Sequence, residues 1–569
     1  AKPIAPGGVP DLRVTPLETR AWAALDAALK ARGFAYVQSR RGITRYRGDL
    51  RSGRTTIAVA VCVTDPVMTT PPKIYVEDLA IRRRLLAHLN ADDSLCFAEK
   101  EVEQYDPYNA GGAILRVLES AKETLDQVLH ASTLADRQRE FVSYWNPDTY
   151  LYTDLPAGFS GRARCCTWNR VGGRDSLVIT TPERVSRWSR DKPDDVRQAY
   201  VLRGNRPFDI RRGGGPGKTL ATLKTWIAHF VDEPDAIAHA FAPALVDKGH
   251  IILAAENGVV AASFKWPEFA RIAYAKAPQN RRARSISHGE NEMTLDRGLA
   301  DSVALPDLVN GRLSAPSPLI GKAVAVVGAG AIGSRVCLEL ARSGAGQSQR
   351  PMLIIDGDQF STANFGRHVL PVSAVRLAKA GALAAEVRRL HPDLTVEGVA
   401  TDVFGVTARL QDYDLVIDAT GSTPVGLRLN DLAVTTRRLG KPFPPVIHAA
   451  IHGNGLAAQT VLVTRSAHAC LKCLRPNHGE LKANPLKPGV TTAVESGTCG
   501  DGAHINYAAP APMLAATLVV QAALEWAAAP DMPGPRVRTR VLDLEHTAPP
   551  KDRNWPIEPL CPACQGPVT

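Results

Sequence analysis

The spacing of apolar positions divides the chain into regions of different character. Residues 17–32 and 111–129 repeat apolar side chains at helical spacing, which predicts two amphipathic helices. Between them, 36–47, 55–64 and 73–76 alternate as strands do, the last behind a Pro71-Pro72 break. The stretch 151–310 is less regular: strand-like runs at 176–179 and 250–254 sit among Gly/Arg-rich loops, and 275–289 reads as an exposed basic linker. From 311 onward strand and helix patterns alternate, which predicts a parallel, doubly wound sheet. The longest apolar run, 513–529, contains Gln521 and Glu525 and is expected to be a buried core helix rather than a membrane span. The expected fold class is α/β: an α+β unit over 1–150, a middle α/β linker domain over 151–310, and a Rossmann-like domain over 311–569.

Bulk numbers narrow the class. A chain of 569 residues is too long for one core, and 45% hydrophobic with 22% charged residues is ordinary for a globular enzyme. The net charge of +11 is not concentrated in long basic blocks or interleaved with aromatic residues, so no direct nucleic-acid binding is expected. The first residues lack a signal-like apolar run, which gives a cytoplasmic expectation. Ten cysteines in that setting suggest metal binding or catalysis more than disulfides.

The motif Gly328-x-Gly330-x-x-Gly333 follows an apolar run from 324 and opens a helix pattern. Such a turn lets backbone N–H groups approach a phosphate at the positive end of a helix. Asp356, with Asp358 beside it, ends the next apolar run, where a carboxylate grips ribose hydroxyls in such folds. To that point a dinucleotide oxidoreductase fits equally well. Arg367 and Lys379 add fixed positive charge, which a polyphosphate with a departing pyrophosphate needs and a nicotinamide does not. Asp418, at the end of a third apolar run, is placed to hold Mg²⁺ on those phosphates. Read singly, Arg367 and Lys379 would serve equally as surface charges and Asp418 as a helix cap.

The cysteines sort by context. Cys470-x-x-Cys473 and Cys561-x-x-Cys564 have the spacing of a closed four-thiolate Zn²⁺ site split across the chain. Cys499, in a Gly-flanked polar loop, and Cys96, after Asp92-Asp93-Ser94, are candidate nucleophiles, with inert loop thiols as the alternative. Cys62 reads as strand core, and the adjacent Cys165-Cys166 as structural. The run Arg212-Gly-Gly-Gly-Pro-Gly217-Lys218-Thr219 lacks the first glycine of a phosphate-binding loop and reads as a plain loop.

Taken together, Gly328, Gly330, Gly333, Asp356, Asp358, Asn364, Arg367, Lys379 and Asp418 resemble the ThiF/MoeB and ubiquitin-activating superfamily over roughly 315–569. The family's usual Asn-Leu-Asn-Arg-Gln reads here Asn364-Phe-Gly366-Arg367-His368. Residues Tyr46-Arg-Gly48, Pro71-Pro72, His88-Leu-Asn90 and Cys96 resemble a ubiquitin-conjugating enzyme, without the proline of its His-Pro-Asn triplet. The domain order is similar to the fused activating/conjugating enzymes of bacterial anti-phage CBASS operons. That resemblance implies ATP-dependent adenylation of a partner protein's C-terminus, capture on Cys499, transfer to Cys96 and conjugation to target lysines. The implied partner is a CD-NTase-type nucleotidyltransferase, and the implied assembly a homodimer, with Arg312 a candidate arginine lent to the mate's ATP site. A sulfur-carrier adenylyltransferase and a nucleotide-regulated scaffold are the competing readings.

Overall fold

The structure, a computed structural model, describes residues 15–53, 55–82, 88–90, 92–97, 105–130, 134–139, 141–145, 149–168, 175–189, 195–209, 216–241, 249–278, 289–311, 313–464, 468–477, 480–496, 503–531 and 534–565. The chain forms two compact units, Ala1–Val303 and Ala304–Thr569.

In the first unit, Thr15 and Glu18 form a capping box that starts the helix Pro16–Ala31. Four strands follow, β1 (Ala35–Arg40), β2 (Ile43–Ser52), β3 (Thr55–Val63) and β4 (Lys73–Val76), as an antiparallel meander in chain order. The single extended segment expected over 36–47 is in fact a hairpin. Arg41 and Gly42 both adopt positive φ (52° and 77°), the two-residue turn that matches the twist of paired strands. The helix Ala110–His130 packs on the first helix and on β2, and together they bury Leu25, Leu29, Ile57, Val59, Ile114 and Val117.

The region expected as a linker is a closed barrel. Its strands are β5 (Thr149–Asp154), β6 (Gly161–Trp168), β7 (Ser176–Thr180), β8 (Val196–Arg203), β9 (Gly249–Ala255), β10 (Gly258–Phe264) and β11 (Leu295–Ser302). They close in the order β10-β11-β5-β7-β6-β8-β9. Closure removes the edges that would otherwise need covering. Cys165 and Cys166 are both buried on β6, in different apolar clusters, as successive residues of a strand covered on both faces must be. Thr219 caps the helix Leu220–Ile227, but 16 residues separate β8 from that helix, so the Gly217-Lys218-Thr219 run is no strand-to-helix phosphate turn. Most of the expected basic linker over 275–289 lies outside the described residues.

The second unit is the doubly wound sheet that the alternation predicts. Strands β12 (Val324–Val327), β13 (Met352–Ile355), β14 (Val396–Val399), β15 (Leu415–Asp418), β16 (Val446–His452), β17 (Ala457–Val463) and β18 (Val537–Val541) form one sheet in the order β14-β13-β12-β15-β16-β17-β18. The first five are mutually parallel; β17 and β18 continue antiparallel. Strand order reverses between β12 and β15, the place where ligands bind outside the carboxyl ends of such sheets. The apolar helix Pro510–Ala528 packs on β16, β17 and the helix Ala331–Arg342, and Ala515, Leu518, Val519 and Trp526 join the central core. That packing accounts for its length and apolarity.

Candidate functional site

Gly328, Gly330 and Gly333 form a tight turn off the carboxyl end of β12. Gly328 has φ +89°, and a Cβ there would sit 2.9 Å from the Thr420 backbone; one on Gly333 would sit 1.8 Å from the Gly328 carbonyl oxygen. These two glycines are required by packing. Around Gly330, the N-cap of Ala331–Arg342, no atom lies within 4 Å of a Cβ, so the open side of the turn faces a helix N-terminus. Asp356, on the loop after β13, accepts the Ala329 N–H at 2.7 Å through one oxygen and the Asp358 N–H at 2.8 Å through the other. His368 fixes the same turn from behind: it accepts the Leu370 N–H at Nδ1 (3.1 Å), so its Nε2–H donates to the Ala329 carbonyl at 2.7 Å. Burial pushes its pKa below the ordinary imidazole value, which keeps the ring neutral for that role.

Lys379 is the first residue of the helix Lys379–Arg388, is itself buried, and reaches exposed Asp358 at 2.8 Å. A cation in a first turn opposes the helix dipole, so its position does not serve that helix. Asn364 caps its own 3₁₀ turn through Ser361. Arg367 ends the turn; its guanidinium donates to the Ile505 carbonyl at 3.0 Å and lies over the Tyr507 ring, 4.7 Å from its centre. Asp418 is buried at the carboxyl end of β15. One oxygen accepts from the Thr420 N–H (3.1 Å) and hydroxyl (2.7 Å), and the other meets His448 Nδ1 at 2.8 Å. Arg312 and Cys499 lie outside the described residues.

Cys470, Cys473, Cys561 and Cys564 converge. Sγ separations are 3.7 Å for 470–473, 3.8 Å for 470–561 and 3.7 Å for 473–564. A tetrahedral ion bound at a Zn–S length of about 2.3 Å sets sulfur atoms about 3.8 Å apart, so the donor set fits zinc in number, type and size. Asn430, fully buried, accepts the Leu471 N–H at 2.9 Å and points its amide at Cys470 Sγ (3.5 Å), which ties the helix Thr423–Arg438 to the cluster.

In the first unit, Cys96 is the one exposed cysteine among those described. Its N–H donates to the His88 carbonyl at 2.7 Å, and Leu89 bridges Leu95, so the triplet 88–90 and the cysteine form one compact loop. Leu95 and Val76 tie that loop to β4 through backbone bonds. The Asn90 amide donates to the Ser94 hydroxyl at 3.0 Å. Cys62 lies on β3, and burial pushes its thiol up, away from reactivity.

The structure thus brings the glycine turn, Asp356, Asp358 and Lys379 together at one end of the sheet. His368, noted in the sequence only as a departure from the family motif, braces the turn, and His448 and Thr420 on Asp418 and Tyr507 on Arg367 were not singled out. The contacts of His368, His448 and Tyr507 are with partners far along the chain, whereas Thr420 turns back onto Asp418 two residues before it.

Comparison with known proteins gives the class first. Residues 319–562 match the ThiF family, and residues 19–153 match prokaryotic E2 family B. One chain therefore carries a conjugating-type domain ahead of a ThiF-type activating domain. At full length it is similar to the ATP-dependent ubiquitin transferase-like protein Cap2 of Pseudomonas aeruginosa, 25% identical over 94% of this chain and 97% of that protein. A second Cap2, from Vibrio cholerae, is 33% identical over 36% of this chain and 35% of that protein. Among solved structures, E. coli MccB with ATP aligns at TM-score 0.34 and 17% identity, over 51% of this chain and 75% of that one.

Proposed function

We propose that the chain activates the C-terminal carboxylate of a partner protein with ATP and conjugates that protein to amines, in anti-phage defence. The observation that carries this is a glycine turn braced by Asp356 in a ThiF domain, fused in one chain to an E2-type domain with an exposed Cys96. The partner's carboxylate oxygen attacks the α-phosphorus of ATP, forming an acyl-adenylate and expelling pyrophosphate. The Cys499 thiolate attacks the acyl carbonyl and releases AMP. The Cys96 thiolate takes the acyl group by thioester exchange and frees Cys499. A target lysine amine then forms an amide and returns Cys96 as a thiol.

Lys379 and Arg367 would neutralise phosphate charge, while the turn after Gly328 would donate backbone N–H groups to it. Asp358 and Asn364 are assigned to the same nucleotide. Mg²⁺ would offset charge on the departing pyrophosphate. Of the four acceptor sites on the Asp418 carboxylate, three are occupied, which leaves one for that ion. Zinc on the four cysteines would be structural, since no ligand position stays open. The working divisions are 1–150, 151–310 and 311–569, in a cytoplasmic homodimer whose modifier is a CD-NTase-type nucleotidyltransferase.

The test is incubation of the full chain with its candidate partner and Mg·ATP, followed by non-reducing electrophoresis. A reductant-sensitive adduct mapping to Cys96 or Cys499 supports the conjugation reading. Pyrophosphate exchange without any adduct returns the chain to sulfur-carrier chemistry.

A further inference from the structure

Arg367 adjoins His368, whose ring braces the glycine turn, yet what holds the arginine side chain lies far along the chain. Its guanidinium donates to the Ile505 carbonyl at 3.0 Å and lies over the Tyr507 ring, 4.7 Å from the centre. Burial raises the Tyr507 phenol and Arg367 partly offsets that rise, so the ring beneath the cation is neutral. Among the described residues Arg367 has no carboxylate partner, whereas Lys379 meets Asp358 at 2.8 Å.

Ile505 and Tyr507 belong to a strap, 503–507, that begins as the return strand of a short pairing, Ala503 with Ser496 and His504 with Glu495. Asn454, in the turn between β16 and β17, pins that strap. Its amide donates to the Asn506 carbonyl at 3.2 Å and to the Ala493 carbonyl at 2.8 Å, and its oxygen accepts the Ala493 N–H at 2.7 Å. The backbone of Asn454 is left-handed, with φ 55°, a conformation that asparagine tolerates better than most residues. Beside it, a Cβ on Gly455 would lie 2.9 Å from the Tyr507 Cβ, so the turn and the strap are in direct contact. Asn506 stands between the two residues that hold Arg367. The contacts therefore run from Asn454 through Asn506 to Ile505 and Tyr507, and from these to Arg367.

This arrangement suits an anion ligand better than a structural tie. An arginine that ties two segments is commonly matched by a carboxylate, which uses its forked donors and cancels its charge. Here a carbonyl takes one donor and the ring takes a face. The charge stays uncancelled, and the remaining N–H groups lie in the guanidinium plane, at its edge. A long side chain fixed in advance also loses less rotamer freedom when it grips a phosphate.

We propose that Tyr507 and Asn454 are positioning residues for the adenylation step: Tyr507 holds the Arg367 guanidinium ready for the nucleotide's phosphates, and Asn454 holds the strap that carries Tyr507. The proposal rests on the adenylation reading. Both residues act through Arg367, so their effects must vanish when the guanidinium is removed.

The experiment uses the full chain with Mg·ATP, by calorimetry, and with adenosine, which lacks phosphates, by saturation-transfer NMR. The variants are Arg367→Gln, Tyr507→Leu, Tyr507→Phe and Asn454→Gly, with Tyr507→Leu and Asn454→Gly each also combined with Arg367→Gln. Glycine adopts a left-handed backbone without strain, so Asn454→Gly removes the amide alone. Arg367→Gln should bind Mg·ATP at least about tenfold more weakly. Tyr507→Leu and Asn454→Gly should each weaken it about three- to tenfold, while Tyr507→Phe, which keeps the ring face, should stay within about twofold of wild type. In the Arg367→Gln background neither change should weaken Mg·ATP further, and adenosine should bind every variant as it binds wild type. Equal loss of adenosine, additive losses in the double variants, or wild-type Mg·ATP affinity in either Tyr507→Leu or Asn454→Gly overturns the proposal. Wild-type affinity in Arg367→Gln takes that arginine off the phosphates and overturns the proposal with the adenylation reading intact. A wild-type chain that binds no Mg·ATP refutes the reading itself, and the proposal with it.

Discussion

The Ala329 peptide is held from both sides: Asp356 accepts its N–H at 2.7 Å, and His368 donates to its carbonyl at 2.7 Å. The turn proposed to face the nucleotide is therefore fixed by the protein itself, and its amides need not be reorganised on binding. Replacing His368 with Leu leaves the buried carbonyl unpaired, at a cost of about 1–3 kcal/mol. Calorimetry with Mg·ATP should show affinity reduced about tenfold in His368→Leu. Wild-type affinity would mean that the histidine is not what braces the turn.

The three glycines predict different outcomes. Gly333→Ala places a Cβ 1.8 Å from the Gly328 oxygen and should destabilise the second unit by several kcal/mol, about 3 or more, seen as a large fall in melting temperature. Gly330→Ala meets no atom within 4 Å and should melt close to wild type. Its methyl nevertheless projects where phosphate is expected, so Mg·ATP binding should weaken at least about tenfold. Tight binding by a normally stable Gly330→Ala protein would move the phosphate site elsewhere.

The sulfur cluster should contain about one zinc per chain by elemental analysis of protein purified without chelator. Cys561→Ser should release it and lower the melting temperature of the second unit. Asn430→Ala, which removes the link to Cys470 and Leu471, should retain the metal with about 10- to 100-fold weaker affinity in a chelator competition. Metal-free protein of unchanged stability would refute a structural ion.

The relay predicts distinct products. Cys96→Ser should trap the acyl group as a reductant-resistant ester, and Cys499→Ala should prevent loading of Cys96 while pyrophosphate exchange continues. Intact-mass measurement distinguishes these species. Normal loading of Cys96 in Cys499→Ala would remove Cys499 from the route.

Acid should loosen the second unit through His452. Burial first, and Arg475 second, lower its pKa from 6.5 to about 4. A depressed histidine pKa means that the unfolded chain takes up the proton first. Stability is then full above about 6.5 and falls as pH drops towards about 4. With each pKa unit worth about 1.4 kcal/mol, and some reduction for partial exposure, His452 should account for about 2 kcal/mol of that loss. His452→Gln should flatten the melting-temperature profile between these pH values; an unchanged slope would assign the loss to other groups.

The sequence makes some of these features legible and hides others for physical reasons. The helices at 17–32 and 111–129 and the doubly wound sheet follow from periodicity, because one face of each must be buried. The hairpin within 36–47 needed the positive φ of Arg41 and Gly42 to be recognised, and alternation runs unbroken through it. The barrel was obscured because several of its strands pair out of chain order, β5 with β7, β6 with β8 and β11 with β5, and loops with little pattern separate them. At the site, Gly328, Gly333, Asp356 and Lys379 stand out because local spacing encodes them. The bracing role of His368 and the link from His448 to Asp418 come only from contacts with Ala329 and Asp418, which no local pattern carries.

The paired cysteines have a topological consequence. Cys470 and Cys473 meet Cys561 and Cys564 at one point, so the whole segment between Cys473 and Cys561 is a closed circuit with a single base. Cys499 and the helix Pro510–Ala528 both lie on that circuit. During synthesis the circuit stays open until Cys561 has emerged, 88 residues after Cys473. A chain interrupted before that point would lack the anchor that holds both ends of the segment carrying Cys499, the proposed acyl acceptor, so the base of the circuit can close only once the chain has reached its last cysteine pair.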